Sequence, residues 1–415
     1  MANLGQGSEK ACRGTAESDE GALRRKASLL GEDDAGFPGG FPQKKLPLLH
    51  ELSESEVREM EKPQIVLGID TFSFYFPLSY HQKEQVITRL KSYKGFYQEN
   101  DDYWAESCEY RSEAFADQGI KIRVFQKKRS VWGLMVTIHP MLLLGNPDRS
   151  ALYNPKRKTY RELERRANGI LEQVGIPCSL DGMKLYRVDV TMNMIFQDPA
   201  PVNAYLRILK KGQLLPHYQL EFFNKGSMKA KDAKEANQNS YKQSCRSGAF
   251  FAYNKTAQLR MTNHFPHMLI GKSVLRIEAQ LRRKGMKKWL GGDIKELDNW
   301  YIIQQMGNKA PKILKWYLKR TLLVHGKHLH YQEAVEKVAA IKREEMQKRM
   351  IYLLRKTSDC RDLSAAVKAL QETYSLSSGQ CRRIFNKFEK LGVSPITLPN
   401  TDSLSRLPDL SSFLK

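Results

Sequence analysis

The chain has 415 residues, a formal net charge of +23, 41% apolar residues and 10% aromatic residues. That length accommodates two domains plus tails, and the apolar and aromatic content excludes general disorder. No run of about 18 apolar residues is present and the N-terminus has no apolar signal core, so neither a transmembrane helix nor a secretory signal is expected.

The charge is unevenly placed. Met1 to Lys62 holds nine Lys/Arg against twelve Asp/Glu, about −3, which leaves about +26 on the remainder. A folded basic body of this kind points to a polyanion, most often nucleic acid, against the plainer reading of a soluble protein with many surface lysines. The six cysteines, Cys12, Cys108, Cys178, Cys245, Cys360 and Cys381, form no CxxC pair. This fits a reducing cytoplasm and argues against a zinc ribbon or a disulfide scaffold.

Met1 to Lys62 is rich in Gly, Ser, Glu and Asp, with FPGGFP at Phe37 to Pro42, and reads as a disordered tail. Part of Leu49 to Glu61 suits a short helix. Gln64 to Pro77 (QIVLGIDTFSFYFP) is strand-like and closes at a proline. Asp70 is disfavoured in a strand interior, so it either faces solvent or serves a site. Ser79 to Tyr97 reads as an amphipathic helix. Gly119 to Lys127 and Ser130 to His139 read as two strands around a basic turn, KKRS, the second ending in VTIHP. Tyr160 to Val174 is a charged amphipathic helix ending at Gly175.

Leu185 to Phe196 (LYRVDVTMNMIF) alternates: Tyr186, Val188, Val190 and Met192 share one strand face, and Arg187, Asp189, Thr191 and Asn193 share the other. A helix over Pro201 to Lys211 and a strand over Tyr218 to Phe223 follow. Lys225 to Arg246 is polar and basic and suits a mobile loop touching a phosphate backbone. Ser247 to Arg283 then carries two further alternating runs, with Phe251, Tyr253 and Lys255 on one face of the first and Arg276, Glu278 and Gln280 on one face of the second.

Beyond Met286 only helices are expected: Asp293 to Met306, Ala310 to Leu323, Gln332 to Leu354, Leu363 to Glu372 and Ser378 to Leu391. The expected architecture is α+β. It has an antiparallel sheet covered by helices on one face over residues 63–291 and an all-helical domain over 292–394. Flexible tails over 1–62 and 395–415 complete it, the latter Pro- and Ser-rich.

Arg187 to Asp189 (RVD) and Arg276 to Glu278 (RIE) share the form Arg-apolar-acid. If the two strands are near neighbours, two carboxylates converge where Mg²⁺ or Mn²⁺ binds through oxygen; the alternative is a pair of surface cross-strand salt bridges. Tyr253 is a candidate nucleophile, with Lys255 two residues on to favour the phenolate; the alternative is one more packing residue among 18 tyrosines. His264 with His267, and His325, His328 and His330, lack a nearby Cys or an HExxH carboxylate and read as solvated loop histidines. His139 stands alone before Pro140, as a single metal ligand or a phosphate contact. No P-loop, GxGxxG or GxSxG is present. The helices over Leu363 to Glu372 and Ser378 to Leu391, separated by TYSLS, suit a helix-turn-helix whose second helix carries Arg382, Arg383, Lys387 and Lys390 toward DNA; the alternative is an ordinary charged helical face.

Four blocks in order resemble the gene II / gene X replication initiators of filamentous phages and related plasmid replication proteins. They are VTIHPMLLLGNPDRSAL (Val136 to Leu152), YRVDVTMNM (Tyr186 to Met194), FFAYNKTAQL (Phe250 to Leu259) and VLRIEAQLRRKGMKKWLG (Val274 to Gly291). CRRIFNKFEKLGVS (Cys381 to Ser394) is a weaker fifth, so the resemblance covers about Gln64 to Ser394. It implies a replication-initiator/relaxase-like fold and a cytoplasmic rolling-circle initiator that nicks one origin strand. A Tyr is joined to the 5′ phosphate and the free 3′ hydroxyl primes synthesis.

The family's AY-x-K block falls on Ala252, Tyr253, Asn254 and Lys255, which implies catalysis by Tyr253 with Lys255. Its two strand carboxylates fall on Asp189 and Glu278, implied ligands with His139 for Mg²⁺ or Mn²⁺. The His-hydrophobic-His pair of the wider group is absent. The expected DNA contacts are Arg187, Arg276, Arg282, Arg283, Arg382, Arg383 and Lys387. The implied partners are origin DNA, duplex or hairpin and then single-stranded, with a host helicase and polymerase and no membrane. A relaxase-like mobilisation enzyme and a non-catalytic DNA-binding regulator are the alternatives.

Overall fold

A computed structural model describes residues 60–100, 108–128, 131–176, 178–222, 230–291 and 294–414. The expected acidic tail over 1–62 lies outside these residues, apart from its last three. The chain opens with β1 (Gln64–Leu78), α1 (Tyr80–Lys91), β2 (Phe96–Asn100), β3 (Cys108–Ser112), β4 (Ile120–Lys128) and β5 (Val131–Ile138), then α2 (Pro140–Leu143) and α3 (Arg157–Gln173). It continues with β6 (Lys184–Phe196), α4 (Ala200–Lys211), β7 (Gln219–Leu220), α5 (Ala230–Gln238), β8 (Ser240–Cys245), β9 (Gly248–Asn254), α6 (Lys255–Met261) and β10 (Ser273–Arg282). Helices α7 (Arg283–Leu290), α8 (Asn299–Asn308) and α9 (Ala310–Leu322) follow. The chain ends with β11 (His328–Leu329), α10 (Tyr331–Ala339), α11 (Glu344–Asp359), α12 (Leu363–Tyr374), α13 (Ser378–Leu391) and β12 (Arg406–Leu407).

Strands β1 to β10 form one antiparallel sheet in the order β2-β3-β4-β5-β1-β6-β10-β9-β8-β7. That order holds a repeat. In β1–β5 and again in β6–β10, a central strand is followed by a helix and a four-strand meander whose last member returns beside the first. The two central strands, β1 and β6, pair antiparallel in the middle of the sheet.

Alternation divides the sheet into an apolar and a polar face. Ile69, Phe72 and Phe74 of β1, Val188, Val190 and Met192 of β6, and Ile277 and Ala279 of β10 are all buried in one core. Helices α1, α4, α8 and α9 pack against the sheet. The other face carries Lys121, Arg123, Thr137, Arg187, Asp189 and Glu278, none of them part of that core. The expected antiparallel α+β sheet is present, with a largely helical region, α10 to α13, after it. Among the described residues no helix is long and apolar enough to cross a membrane.

Local chemistry explains several boundaries. Ser79 and Gln82 form a capping box that starts α1. The helix expected to reach Tyr97 stops at Lys91, because Ser92 caps it and Gly95, at φ +83°, turns the chain into β2. The basic stretch expected as a loop over Lys225 to Arg246 contains α5 and β8; residues 223–229 lie outside the described set. The single helix expected over Gln332 to Leu354 is two, α10 and α11.

The helical part does not begin as a separate body at residue 292. Helices α8 and α9 lie against β6, and one continuous core runs from β1 to the C-terminus. The C-terminal stretch expected to fray is packed. Leu404, Leu407, Leu410 and Leu414 are buried, β12 pairs with β11, and Tyr205 Oη donates to Pro408 O at 3.0 Å. Leucines spaced three and four apart give it an apolar stripe that outweighs its proline and serine content. His328 is likewise buried, not solvated, and its Nδ1 donates to Ile396 O at 2.7 Å.

Leu410→Ala should therefore lower stability by about 2–5 kcal/mol, the usual range for emptying a buried leucine site, measured by urea denaturation. A frayed tail would show no change.

Candidate active site

The four strands β1, β6, β10 and β9 are consecutive neighbours, so their polar faces form one surface. On β6 and β10, Asp189 stands opposite Gln280, Thr191 opposite Glu278 and Asn193 opposite Arg276. On β9, Tyr253 stands opposite Arg276 and Phe251 opposite Glu278. A register shift lies in β1 between Ile69 and Phe72. In a regular strand successive residues point to opposite faces, and an extra residue in one strand relaxes that rule. The irregularity lets Asp70 and Thr71 both engage the polar face, while Ile69 and Phe72 both stay in the core. Asp70 accepts from Arg276, and Thr71 Oγ1 donates to Asp189.

Arg276 organises the centre. It is 0% exposed. Its Nε donates to Asn193 Oδ1 at 2.8 Å, Nη1 to Asp70 Oδ1 at 2.6 Å and Nη2 to the Ser150 carbonyl at 2.7 Å. Burial works against both charges of the pair. The attraction of Arg276, His139 and Lys255 outweighs it at Asp70, whose carboxyl is held below its ordinary range. Asp70, Tyr253 and Glu278 hold the guanidinium above its own ordinary value.

Tyr253 Oη donates to Glu278 Oε1 at 2.6 Å. Burial and the repulsion of Asp70 raise Glu278 to about 7, against the pull of Arg276. Burial and the Glu278 charge also push the phenol well above its ordinary value. Here the structure departs from expectation: Lys255 does not make Tyr253 a ready phenolate. Lys255 is not on the strand either. Asn254 caps α6 by accepting from Ala257 N at 3.0 Å, so Lys255 is the first residue of that helix. It is buried, with Nζ 6.0 Å from the Tyr253 ring centroid. Burial and Arg276 lower it to about 8, against the pull of Asp70 and Glu278.

The expected ligand set of Asp189, Glu278 and His139 does not assemble. Among the described residues no three His, Cys, Asp or Glu side chains come together to hold a metal. His139 instead places Nε2 3.5 Å from Asp70 Oδ1, with Nδ1 buried and unbonded. Burial lowers its pKa, and the Asp70 carboxylate offsets this only in part. Asp189 is buried, which raises its carboxyl against Arg187 and Thr71. Its Oδ1 lies 3.2 Å from Arg187 Nε without hydrogen-bond alignment.

The basic residues divide. Arg276 was expected on DNA, but its donors are taken inside the protein. Arg283 donates to Leu185 O and Ile294 O, Arg282 is half-buried, and Arg187 is paired with Asp189. On α13, by contrast, Arg382, Arg383 and Lys390 are exposed and Lys387 is half-buried, while Cys381, Ile384 and Phe388 face inward. Helices α11, α12 and α13 pack on one another. Ser375, at φ +49°, makes the turn, and a Ser377–Gln380 capping box starts α13.

The sequence reading flagged Asp70 through its strand position and placed Asn193 on the right face. It had no signal for Ser150, which acts through its backbone, or for Thr71, which depends on the bulge. No family model matches this chain, and no curated protein matches it.

The Glu278 shift has a stability consequence. The folded state binds this proton more tightly than the unfolded chain, from an ordinary 4.5 to about 7. The stability it contributes is complete below the unfolded value and is lost as pH rises through about 7. Glu278→Gln, which cannot titrate, should gain in melting temperature relative to wild type between pH 4.5 and pH 8. A pH-independent difference would sink the assignment.

Proposed function

We propose that the protein is a DNA nickase and strand transferase of the rolling-circle initiator type, acting through Tyr253. The observation that carries this reading is the contact between the Tyr253 hydroxyl and Glu278, a carboxyl poised near neutrality beside two cations. A general base works best with a pKa near the working pH and within hydrogen-bond reach of the proton it takes. Tyr253 Oη attacks the phosphorus of a phosphodiester while its proton passes to Glu278. The bond to O3′ breaks, and Glu278 returns the proton to that oxygen. The products are a free 3′ hydroxyl and a 5′ phosphate esterified to Tyr253. The reverse attack rejoins the strand without a nucleotide, in accord with the missing P-loop.

Arg276, held by Asp70, lies 3.9 Å from Glu278, and Lys255 is the cation left to face the phosphoryl oxygens. Mg²⁺ and Mn²⁺ stay within the proposal as ions held by one or two carboxylates plus substrate phosphate, which is how magnesium is commonly bound. Asp189, with its unbonded Oδ1, and Glu278 would hold one and let it polarise the phosphoryl group; no step above depends on it. The basic body adds affinity independent of sequence. The α12–α13 pair is the proposed duplex-origin reader, with α13 in the major groove. A host helicase and polymerase would act downstream, in the cytoplasm. A mobilisation relaxase would use the same chemistry.

On supercoiled DNA carrying a candidate origin, with Mg²⁺ or Mn²⁺, the wild type should nick and become joined to the 5′ end, and Tyr253→Phe should do neither. The rate should rise as Glu278 ionises near pH 7 and fall as Lys255 loses its proton above about 8. If both proteins bind the origin and neither nicks, the protein is a regulator in which Tyr253 and Glu278 only pack.

Replacing Arg382 and Arg383 together by Ala should weaken duplex binding and reduce the slope of log affinity against log salt by about 2. Cutting of a single-stranded oligonucleotide should be unchanged. An unaltered slope would remove α13 from the DNA interface.

A further inference from the structure

Beside the Tyr253–Glu278 contact lies a cavity of about 440 Å³, within the range of small-ligand sites, about 300–1,000 Å³. Its floor is strand: Phe251 and Tyr253 from β9, Glu278 and Gln280 from β10. Asn239, just past α5, forms one wall, and Gln258 and Met261 of α6 form another. That second wall stands on its own footing. Leu259 of α6 packs with Leu269 and Val274 in a small core separate from the main one.

The chemistry of the lining is specific. Its charged members are Glu278, already engaged with Tyr253, and Lys242, which is ion-paired with Glu221 and lies with Nζ 4.9 Å from the Phe251 ring centroid. A phosphate subsite would converge free cations. This one offers an aromatic ring, a methionine and neutral amides. Among the described residues the Asn239 and Gln258 side chains have no hydrogen-bond partner, so their donors and acceptors are available. A flat ring with a mixed donor and acceptor edge is what such a lining complements, as in pockets that stack and read an unpaired base.

We infer that this cavity takes one unstacked nucleobase of the strand being cut. It is a base flanking the scissile phosphate, stacked on Phe251 and read by Asn239 and Gln258. The inference rests on the phosphotyrosine reading above and adds the origin of sequence preference at the break. Duplex recognition by α13 would then find the origin, and the cavity would choose the bond.

The test uses the full chain and a library of single-stranded oligonucleotides of randomised sequence, with the DNA of the covalent adducts sequenced. The wild type should show a base preference at one position flanking the break, and an abasic site there should slow adduct formation on the order of tenfold to a hundredfold, the usual scale of a lost base–aromatic stack. Phe251→Ala should show a similar loss, restored by Phe251→Tyr. Asn239→Ala and Gln258→Ala, changes outside the core, should relax the base preference. Adducts formed without any flanking preference, or a preference untouched in both amide variants, would overturn the inference and leave the nicking reading standing. A wild type that forms no adduct with any sequence overturns both.

Discussion

Arg276 reaches from β10 across β6 to meet Asp70 on β1. Neighbouring strands lie about 4.8 Å apart, so the two backbones are separated by roughly 10 Å. A long side chain meeting a short one spans that gap. Arginine also satisfies three acceptors at once, on β1, on β6 and on the backbone of the Ser150 segment; lysine's single ammonium lacks the planar fork for this. The charge is wholly buried, and removing either partner of such a pair commonly costs about 3–5 kcal/mol, because the other is left uncompensated. Much of the polar face is arranged to avoid that outcome. The irregularity in β1 exists where Asp70 must leave the alternation, and Thr71 uses the same irregularity to hold Asp189.

The same pair sets the electrostatics of the proposed chemistry. Burial raises Glu278, Asp70 adds to it and Arg276 opposes it, so the carboxyl sits near neutrality. The phenol is left less acidic than a free tyrosine. In the proposed reaction, removal of its proton would have to accompany attack, a task that falls to the 2.6 Å contact with Glu278 and not to Lys255. Lys255, brought to about 8, is still mostly protonated at neutral pH and is free to face an incoming anion. In the proposed chemistry, one buried ion pair would thus divide the labour of its neighbours into base and electrostatic stabiliser.

Period-two patterning was enough to place Arg187, Asp189, Thr191 and Asn193 on one face, and Arg276, Glu278 and Gln280 on another, because alternation is a local property of any strand. It could not say that β6 and β10 are adjacent, since pairing across some 85 residues depends on the whole sheet. The bulge at Asp70 was invisible for a related reason: one extra residue leaves no mark when Ile69 and Phe72 both look like ordinary core. The exchange of strand for helix at Lys255 was more legible than the reading made of it. Asn254 is a good N-cap residue, and KTAQLRM after it has the composition of a helix. The packed C-terminal tail was also written plainly, as leucines at 404, 407, 410 and 414.

The repeated chain path explains why the site lies where it does. Two similar five-strand units meet at β1 and β6, and side chains near that line can come from both. Asp70 and His139 belong to the first unit; Asp189, Tyr253, Arg276 and Glu278 belong to the second. Among the described residues, the corresponding meander of the first unit carries ion pairs instead: Glu109 holds Arg111 and Arg123, and Glu113 holds Lys121. Because the central ion pair crosses the junction, neither unit can keep the cluster alone, and a change that loosens β1 from β6 would alter the charges around Glu278.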